Sequence, residues 1–321
     1  MDEKTERSDI EYQKALISIE SLKPMRNYYT GGNMKRTNRR EFLTCLSVGT
    51  IGTSLADILI SAAPGLSKGV ARSKRLSHKV KFSLGIASYT FRHFNLDQTL
   101  EMTQRLGIGT IAFKDFHLPL DSSEEQIKAV AEKVKRAGLR LYGCGVVYMK
   151  NEHEVQRAFD YARAAGMELI IGVPEHDLLP LVDRKVQEYD IKLAIHNHGP
   201  GDERYPSPES AYQRIRFLDR RIGLCIDVGH TQRLGVDPAE AIEAFADRLL
   251  DIHIKDVTAA TKEGTTIEIG RGVIDIPRVI RTLIHANYHG VVAFEFEKDE
   301  RDPLPGVAES IGYVRGVLDT I

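Results

Sequence analysis

From Val80 onward the chain alternates short apolar runs with longer amphipathic segments that carry most of the charge. Eight apolar runs can be counted, each followed by a segment with helical spacing of its apolar positions. The runs cover residues 81–91, 109–117, 139–149, 167–176, 192–198, 221–230, 249–256 and 291–297. This alternation is typical of repeated βα units and predicts an α/β fold, a closed (β/α)8 barrel. A doubly wound open sheet is the alternative.

Local signals mark the ends of several predicted helices. Ser123 with Gln126 three residues later forms a capping box, and Gly138 is expected to end that helix. The next helix is predicted from Glu152 to Ala165 and stops at Gly166. The segment after the seventh run is predicted to be a long polar loop that reaches Gly272.

Four consecutive runs, the fifth to the eighth, end in ionisable residues. The end residues are His196 and His198, then Asp227 and His230, then His253, Lys255 and Asp256, and finally Glu295 and Glu297. The carboxyl ends of parallel barrel strands meet at one rim, where barrel enzymes place their active sites. We therefore expect these side chains to share one site.

Strand alternation predicts which of these side chains face the barrel interior. Glu295 shares a face with Val291 and Ala293, and Asp227 shares one with Gly223 and Cys225, as expected of an inner wall. Burying so many ionisable groups is costly unless a cation or mutual pairing compensates them. A single histidine at a strand end is more often structural, but four consecutive strands favour a divalent metal ion held by imidazole and carboxylate ligands.

Composition narrows the class of protein. The 321 residues are 42 % hydrophobic and 28 % charged, with a net charge of −1, which fits a globular barrel with a sizeable core. No basic face is evident, and this argues against a nucleic-acid partner. The cysteines Cys45, Cys144 and Cys225 lack CxxC spacing, and the last two are predicted to be buried free thiols.

The first eighty residues differ from the rest. Residues 1–33 are polar and without apolar period, which predicts a disordered extension or a misassigned start. In residues 34–71, Arg39-Arg40 precedes a weakly apolar run rich in small residues, which resembles a twin-arginine export signal. The run carries Asp57 and is a poor membrane span. We expect export to a periplasm-like compartment, with no stable membrane span after signal removal.

Residues 80–321 resemble the xylose isomerase-like TIM barrel superfamily of sugar phosphate isomerases and epimerases. The segments LCIDVGHT, DIHIKDV, IGRGVIDIP and VVAFEFEKD carry the resemblance. It implies one divalent ion, Mn²⁺ first and Mg²⁺, Co²⁺ or Zn²⁺ as alternatives, bound by Asp227, His253 and Glu295. His196 stands where many members have a glutamate, as in a branch with an HNH motif on the fifth strand. It is our fourth ligand, and Glu203 or Asp202 could substitute for it.

The resemblance also implies roles for other rim residues. In the family's epimerases, glutamates on the fifth and eighth strands exchange a proton at a carbon next to a carbonyl. Glu295 is then one base, and the second must come from His198, Glu175 or His230. Lys255 is expected to neutralise an oxyanion or to act as an acid. The expected substrate-binding residues are Lys114, His117, Arg271 and Glu297; for Lys114 and Arg271 an ion pair at the rim or surface is an equal alternative.

The predicted function is metal-dependent proton abstraction from a keto-sugar or related small carbohydrate, with isomerisation or epimerisation as the outcome. β-Elimination, as in dehydratases and keto-glycoside lyases, is the alternative. A phosphodiester hydrolase like the AP endonucleases and a non-catalytic sugar-binding barrel are less favoured. Barrels of this kind often form homodimers, and no stretch of the sequence identifies an interface.

Overall fold

The computed structural model describes residues 80–321, and it shows eight parallel strands that close into a barrel. The barrel strands are β1 (Ser83–Ala87), β2 (Thr110–Phe113), β3 (Arg140–Met149), β4 (Leu169–Pro174), β5 (Lys192–His196), β6 (Ile222–Asp227), β7 (Leu249–Ile254) and β10 (Val291–Phe294). Each strand pairs in parallel with its neighbours in this order, and β10 pairs with β1. The predicted closed barrel is confirmed. The expected extension, export signal and Cys45 lie outside the described residues.

Helices follow the strands and cover the outside of the barrel. They are α1 (Leu96–Arg105), α2 (Glu124–Arg136), α3 (Glu152–Ala165), α4 (Leu179–Tyr189), α5 (Pro208–Ile215), α6 (Val228–Arg233), α7 (Pro238–Ala244), α8 (Ile276–His285) and α9 (Leu304–Thr320). In α8 the buried residues Ile276, Val279, Ile280 and Leu283 recur at the spacing of one helix face. No helix within residues 80–321 has the length and apolar character needed to cross a bilayer.

Helix ends follow the local sequence closely. Ser123 accepts a hydrogen bond from the Gln126 amide while the Gln126 side chain accepts one from the Ser123 amide, so the predicted capping box is confirmed. Gly166 ends α3 in the left-handed region, as expected. Gly138 also has a positive φ, and it lies one residue beyond the cap residue, Ala137.

The polar segment after β7 has more structure than a loop. Asp256–Val257 (β8) and Thr266–Ile267 (β9) pair as a two-stranded antiparallel sheet above the rim. The prediction of a long polar loop up to Gly272 was wrong at these two short strands. Two strands of two residues are too short to produce a periodic pattern in the sequence.

The apolar core is formed by residues of the strands and of the surrounding helices, and it includes both described cysteines. Cys144 and Cys225 are free and buried, as predicted. Strand register sets the height of each rim residue: Asp227 is level with His253, and His253 is level with Ala293. The ionisable ends of β5, β6, β7 and β10 are thereby brought to one side of the barrel mouth.

Candidate metal centre and active site

Four side chains from neighbouring strands converge at the carboxyl end of the barrel. His196, Asp227 and His253 lie on β5, β6 and β7, and Glu295 directly follows β10. All four are buried, and one ligand atom from each lies within 4.8 Å of the others. Nε2 of His196 is 3.1 Å from Nδ1 of His253 and 3.6 Å from Oδ2 of Asp227. Nδ1 of His253 is 3.3 Å from Oε2 of Glu295.

These separations fit a single divalent ion. Nitrogen and oxygen ligands about 2.1 Å from a tetrahedral ion would be about 3.4 Å from one another. Ligation requires neutral imidazole and ionised carboxylate. Burial lowers the pKa of His196 to about 3, so this ring is neutral near pH 7. Burial works against the ionised form of Asp227, but His230 and Lys255 outweigh it and hold its pKa well below the usual range.

Cys225 is a second kind of ligand in the same region. Its thiol sulfur lies within 4.8 Å of ligand atoms of His196 and His253, which defines a three-residue set. Burial raises the pKa of this thiol well above its ordinary value. The set of two imidazoles and two carboxylates offers more ligands and more negative charge, and it is the stronger candidate.

Lys255 neutralises part of the carboxylate charge at the centre. Its buried ammonium lies 2.9 Å from Oδ2 of Asp227 and 2.7 Å from Oε2 of Glu295, and it also contacts Glu297. Burial disfavours the charged amine, yet the three carboxylates outweigh burial and raise the pKa of Lys255 well above its usual value. A fixed positive charge therefore lies beside the candidate metal ligands.

A small cavity of about 240 Å³ opens above the cluster. Its size suits a small ligand. Its walls combine imidazole, carboxylate, ammonium and phenol groups with one aliphatic side chain. The lining residues are Tyr89, Lys114, Val146, Tyr148, His196, His198, His230, Glu295 and Glu297.

Two further histidines lie in the cavity wall. The Tyr148 hydroxyl is 3.0 Å from Nε2 of His198, and the two rings stack. Nδ1 of His198 is 3.7 Å from Oδ2 of Asp202. The ring of His230 lies against His196 and His198, and its backbone amide donates to Oδ1 of Asp227. Both rings are placed to exchange a proton with a small ligand.

Three residues expected at the site are engaged elsewhere. Glu175 pairs with Arg204 at 2.6 Å. Arg271 is exposed and pairs with Glu309 at 2.5 and 2.6 Å. Both lie outside the cavity lining.

His117 is the third of these residues. It is 5 % exposed, and its ring nitrogens contact Ser88, Thr99 and the carbonyl of Phe94. The structure therefore gives His117 a buried hydrogen-bonding position rather than a place in the cavity wall.

Sequence reasoning missed two aromatic residues of the cavity, Tyr89 and Tyr148. Tyr148 is 41 % exposed although it lies near the end of a buried strand. Tyr89 follows β1 in a short 3₁₀ helix. Their position after or at the carboxyl end of a strand is the signal in the sequence that could have identified them. Asp202 lies behind His198 rather than in the ligand cluster.

A closed parallel barrel with a His/Asp/Glu cluster at its carboxyl rim defines the class, a barrel protein with a candidate metal site. The chain belongs to the xylose isomerase-like TIM barrel family, whose sequence model matches residues 90–317.

Curated relatives match part of the chain. The rhizopine catabolism protein MocC of Rhizobium meliloti is 26 % identical over 145 residues, 40 % of this chain and 44 % of that protein. The inosose dehydratase of Geobacillus kaustophilus is 28 % identical over 148 residues, 40 % of this chain and 45 % of that protein. The chain thus spans less than half of the length of either relative.

Solved structures share the fold. L-ribulose 3-epimerase has a TM-score of 0.62 at 17 % identity, covering 74 % of this chain and 95 % of that one. The IOLI protein with a zinc atom has a TM-score of 0.62 at 17 % identity, covering 74 % and 99 %. At this identity the likeness establishes the barrel and not the activity.

Proposed function

We propose that the protein is a divalent-metal-dependent enzyme that removes a proton from the carbon next to a carbonyl of a keto-sugar or related carbohydrate. Isomerisation or epimerisation is the expected outcome. One observation carries the proposal: four candidate ligand atoms converge at the base of a small polar cavity, and Glu295 belongs to both. Relatives and fold neighbours named as sugar-processing enzymes support it.

Each rim residue has a part in this proposal. A bound divalent ion would supply Lewis-acid polarisation of the substrate carbonyl. Glu295 accepts the proton from carbon, and the positive charge of Lys255 beside it stabilises the negative charge that develops on the substrate oxygen. His198 or His230 returns a proton from the cavity wall. Lys114 binds a substrate hydroxyl.

The ligand set bears on the identity of the metal. His196, Asp227, His253 and Glu295 offer two nitrogens and two oxygens. Mn²⁺ remains our expected ion, with Mg²⁺, Co²⁺ and Zn²⁺ as alternatives. Imidazole donors suit Zn²⁺ and Co²⁺ better than Mg²⁺, so the second histidine counts against magnesium.

β-Elimination is the second candidate reaction. His196 stands on the fifth strand where many family members have a glutamate, so one of the paired carboxylate bases is replaced. Elimination needs one base at carbon and one acid at the leaving oxygen, and Glu295 with His198 or His230 could provide both. Two of the enzymes compared, inosose dehydratase and a probable 3-DHS dehydratase, are named for the loss of water.

Proton exchange with solvent tests the proposed chemistry. The full chain with Mn²⁺ is incubated in D₂O with a panel of ketoses and 3-keto-glycosides, and proton NMR follows the signal of the C–H next to the carbonyl. We expect this signal to disappear with wild type and to persist with Asp227→Asn. Arg271→Ala, a surface variant outside the cavity, is the matched control and should exchange like wild type.

The products of the same reactions separate the two candidates. A stereoisomer or a ketose–aldose pair supports isomerisation or epimerisation, and an unsaturated ketone with released water or a released sugar supports elimination. Exchange that Asp227→Asn does not reduce, or metal binding without exchange on any substrate, contradicts the proposed chemistry.

We also propose that the enzyme acts after export through the twin-arginine route. The support is the Arg39-Arg40 pair and the weakly apolar run that follows it. Phosphorylated sugars are cytoplasmic metabolites, so exported protein would meet free keto-sugars or oxidised glycosides.

A further inference from the structure

A buried carboxylate lies one layer beneath the candidate metal ligands. Asp251 is on β7, two residues before His253 and therefore on the same face of the strand. It is level with Cys225 on β6 and Val291 on β10, inside the barrel, and its exposed fraction is 0 %. Bulky branched residues dominate this layer of parallel barrels, so an aspartate here is unusual.

The partners of Asp251 do not balance its charge. The Tyr142 hydroxyl lies 3.3 and 3.4 Å from its two oxygens, and the Cys225 sulfur lies 3.7 Å from Oδ2. Within residues 80–321 its one contact with a basic group is Nε2 of His253, 3.8 Å from Oδ2. A well-packed apolar residue would fill the position at lower cost in free energy.

The two ring nitrogens of His253 face different neighbours, the ligand cluster on one side and Asp251 on the other. Nδ1 faces the cluster, 3.1 Å from Nε2 of His196 and 3.3 Å from Glu295. Nε2 is buried and has no hydrogen-bond partner among the described residues. Oδ2 of Asp251 lies 3.8 Å from this Nε2, just beyond hydrogen-bonding distance.

We propose that Asp251, held by Tyr142, is a positioning residue that fixes His253 with Nε2–H toward Asp251 and Nδ1 toward the metal ion. Metal-bound histidines in general donate their second ring N–H to a carboxylate or carbonyl, which fixes the tautomer and the ring orientation. The inference rests on the proposed metal centre. It gives a role to the buried pair Asp251 and Tyr142, which the proposed reaction does not use.

Metal affinity, read together with the stability of the metal-free protein, tests this role. Dissociation constants for Mn²⁺ and Zn²⁺ are measured by chelator competition on the full chain, and melting temperatures are measured in excess chelator. For Asp251→Asn we expect about 10- to 100-fold weaker binding. We expect the melting temperature of the metal-free variant to be unchanged or higher, because an unbalanced buried carboxylate is removed. Tyr142→Phe should weaken binding by a smaller factor in the same direction.

A purely structural role predicts a different pattern. If Asp251 only supports the fold, Asp251→Asn lowers the melting temperature of the metal-free protein, and that result overturns the proposal. Binding within about threefold of wild type overturns it as well. The absorption spectrum of bound Co²⁺ gives an independent readout, since a reoriented imidazole should change it.

A third variant, Cys225→Ala, distinguishes the contribution of Asp251 to metal binding from that of the thiol that contacts it. We expect it to keep Mn²⁺ affinity within about threefold of wild type. Loss of binding in Cys225→Ala but not in Asp251→Asn would assign the ion to the cysteine-containing set and contradict the inference. If wild type itself binds no divalent ion, the failure belongs to the proposed metal centre rather than to Asp251.

Discussion

Lys255 partly neutralises the negative charge of the carboxylates at the barrel rim. Its ammonium is buried among Asp227, Glu295 and Glu297. Lys255→Met keeps the length of the side chain and removes the charge. We expect the free energy of unfolding of the metal-free protein to fall by about 3–5 kcal/mol, because buried carboxylates lose their partner. Chemical denaturation in excess chelator measures this loss.

Adding Mn²⁺ distinguishes the loss of the Lys255 charge from a general loss of stability. A divalent ion supplies the missing charge, so the increase in unfolding free energy on adding Mn²⁺ should be larger for Lys255→Met than for wild type. Lys298→Met breaks a lysine–glutamate pair with Glu268 that is not in the cavity wall, and serves as control. Equal increases in Lys255→Met and wild type would contradict this role of Lys255.

Lys114 and Arg271 make a matched pair of basic residues, both expected from the sequence to contact substrate. Lys114 lines the cavity, where its ammonium contacts the Val146 carbonyl, whereas Arg271 is exposed and paired with Glu309. We expect Lys114→Ala to raise KM about tenfold or more, since a ligand hydrogen bond from a charged group is lost.

Arg271→Ala should leave KM unchanged and alter stability by no more than about 0.5 kcal/mol. Steady-state kinetics on the substrate found by proton exchange measures both variants. A larger effect on KM from Arg271→Ala than from Lys114→Ala would contradict the proposal that the substrate binds in this cavity.

The four candidate ligands could be predicted from the sequence, because strand alternation with a period of two places them on inner faces. The ion pairs of Glu175 and Arg271 could not be predicted from the sequence. Their partners Arg204 and Glu309 lie 29 and 38 residues away along the chain. Such pairs depend on how loops pack, which apolar periodicity does not encode.

At the scale of elements, Asp256 organises the segment between β7 and α8. Its carboxylate accepts hydrogen bonds from the backbone amides of Val257, Gly270, Gly272 and Ile274, at 2.9 to 3.1 Å. A side chain at Gly272 would collide with this carboxylate. A single buried carboxylate thus holds together the IGRGVIDIP stretch.

Asp256→Ala leaves these four amides without their acceptor. We expect a loss of about 3 kcal/mol or more in unfolding free energy. Trypsin cleavage after Lys262 and Arg271 should become faster, because the segment is released. Asp275→Asn keeps an N-cap for α8 and should cost less than about 0.5 kcal/mol. Unchanged cleavage rates in Asp256→Ala would refute the organising role.

The short helix α6 shows why part of the rim was not predicted. Asp227 ends β6 and also caps α6, because its Oδ1 accepts the His230 amide at 2.7 Å while Oδ2 faces the cluster. The apolar run in the sequence predicts Val228 to His230 as the end of the strand, whereas these residues begin α6. The helix has six residues, too few to show a helical period. Helices with caps and a full apolar face, such as α2 and α3, were predicted within a few residues.

At the scale of the whole molecule, the count of eight apolar runs decided between a closed barrel and an open sheet. The pairing of β1 with β10 confirms closure. Near-continuous apolar runs are expected of parallel strands covered on both faces, and for this reason the fold could be predicted from one sequence. The positions of β8 and β9 could not be predicted, since each strand has only two residues and produces no periodic pattern.

The proposed export is a property of the whole chain and can be tested apart from the barrel. We expect the double substitution Arg39→Lys with Arg40→Lys to keep a reporter fused after residue 79 in the cytoplasm of a bacterial host. Arg36→Lys changes a basic residue outside the pair and should leave export intact. Cell fractionation with immunoblotting measures both. Equal periplasmic yields from all three forms would exclude the twin-arginine route.

Anomalous diffraction from crystals grown with Mn²⁺ tests the central claim most directly, because it locates the ion without reference to activity. We predict one strong peak per chain, within about 2.0 to 2.3 Å of ligand atoms from His196, Asp227, His253 and Glu295. The same peak should be absent from Asp227→Asn crystals. No peak in wild type, or a peak bound by other residues, would contradict the metal centre and the reaction built on it.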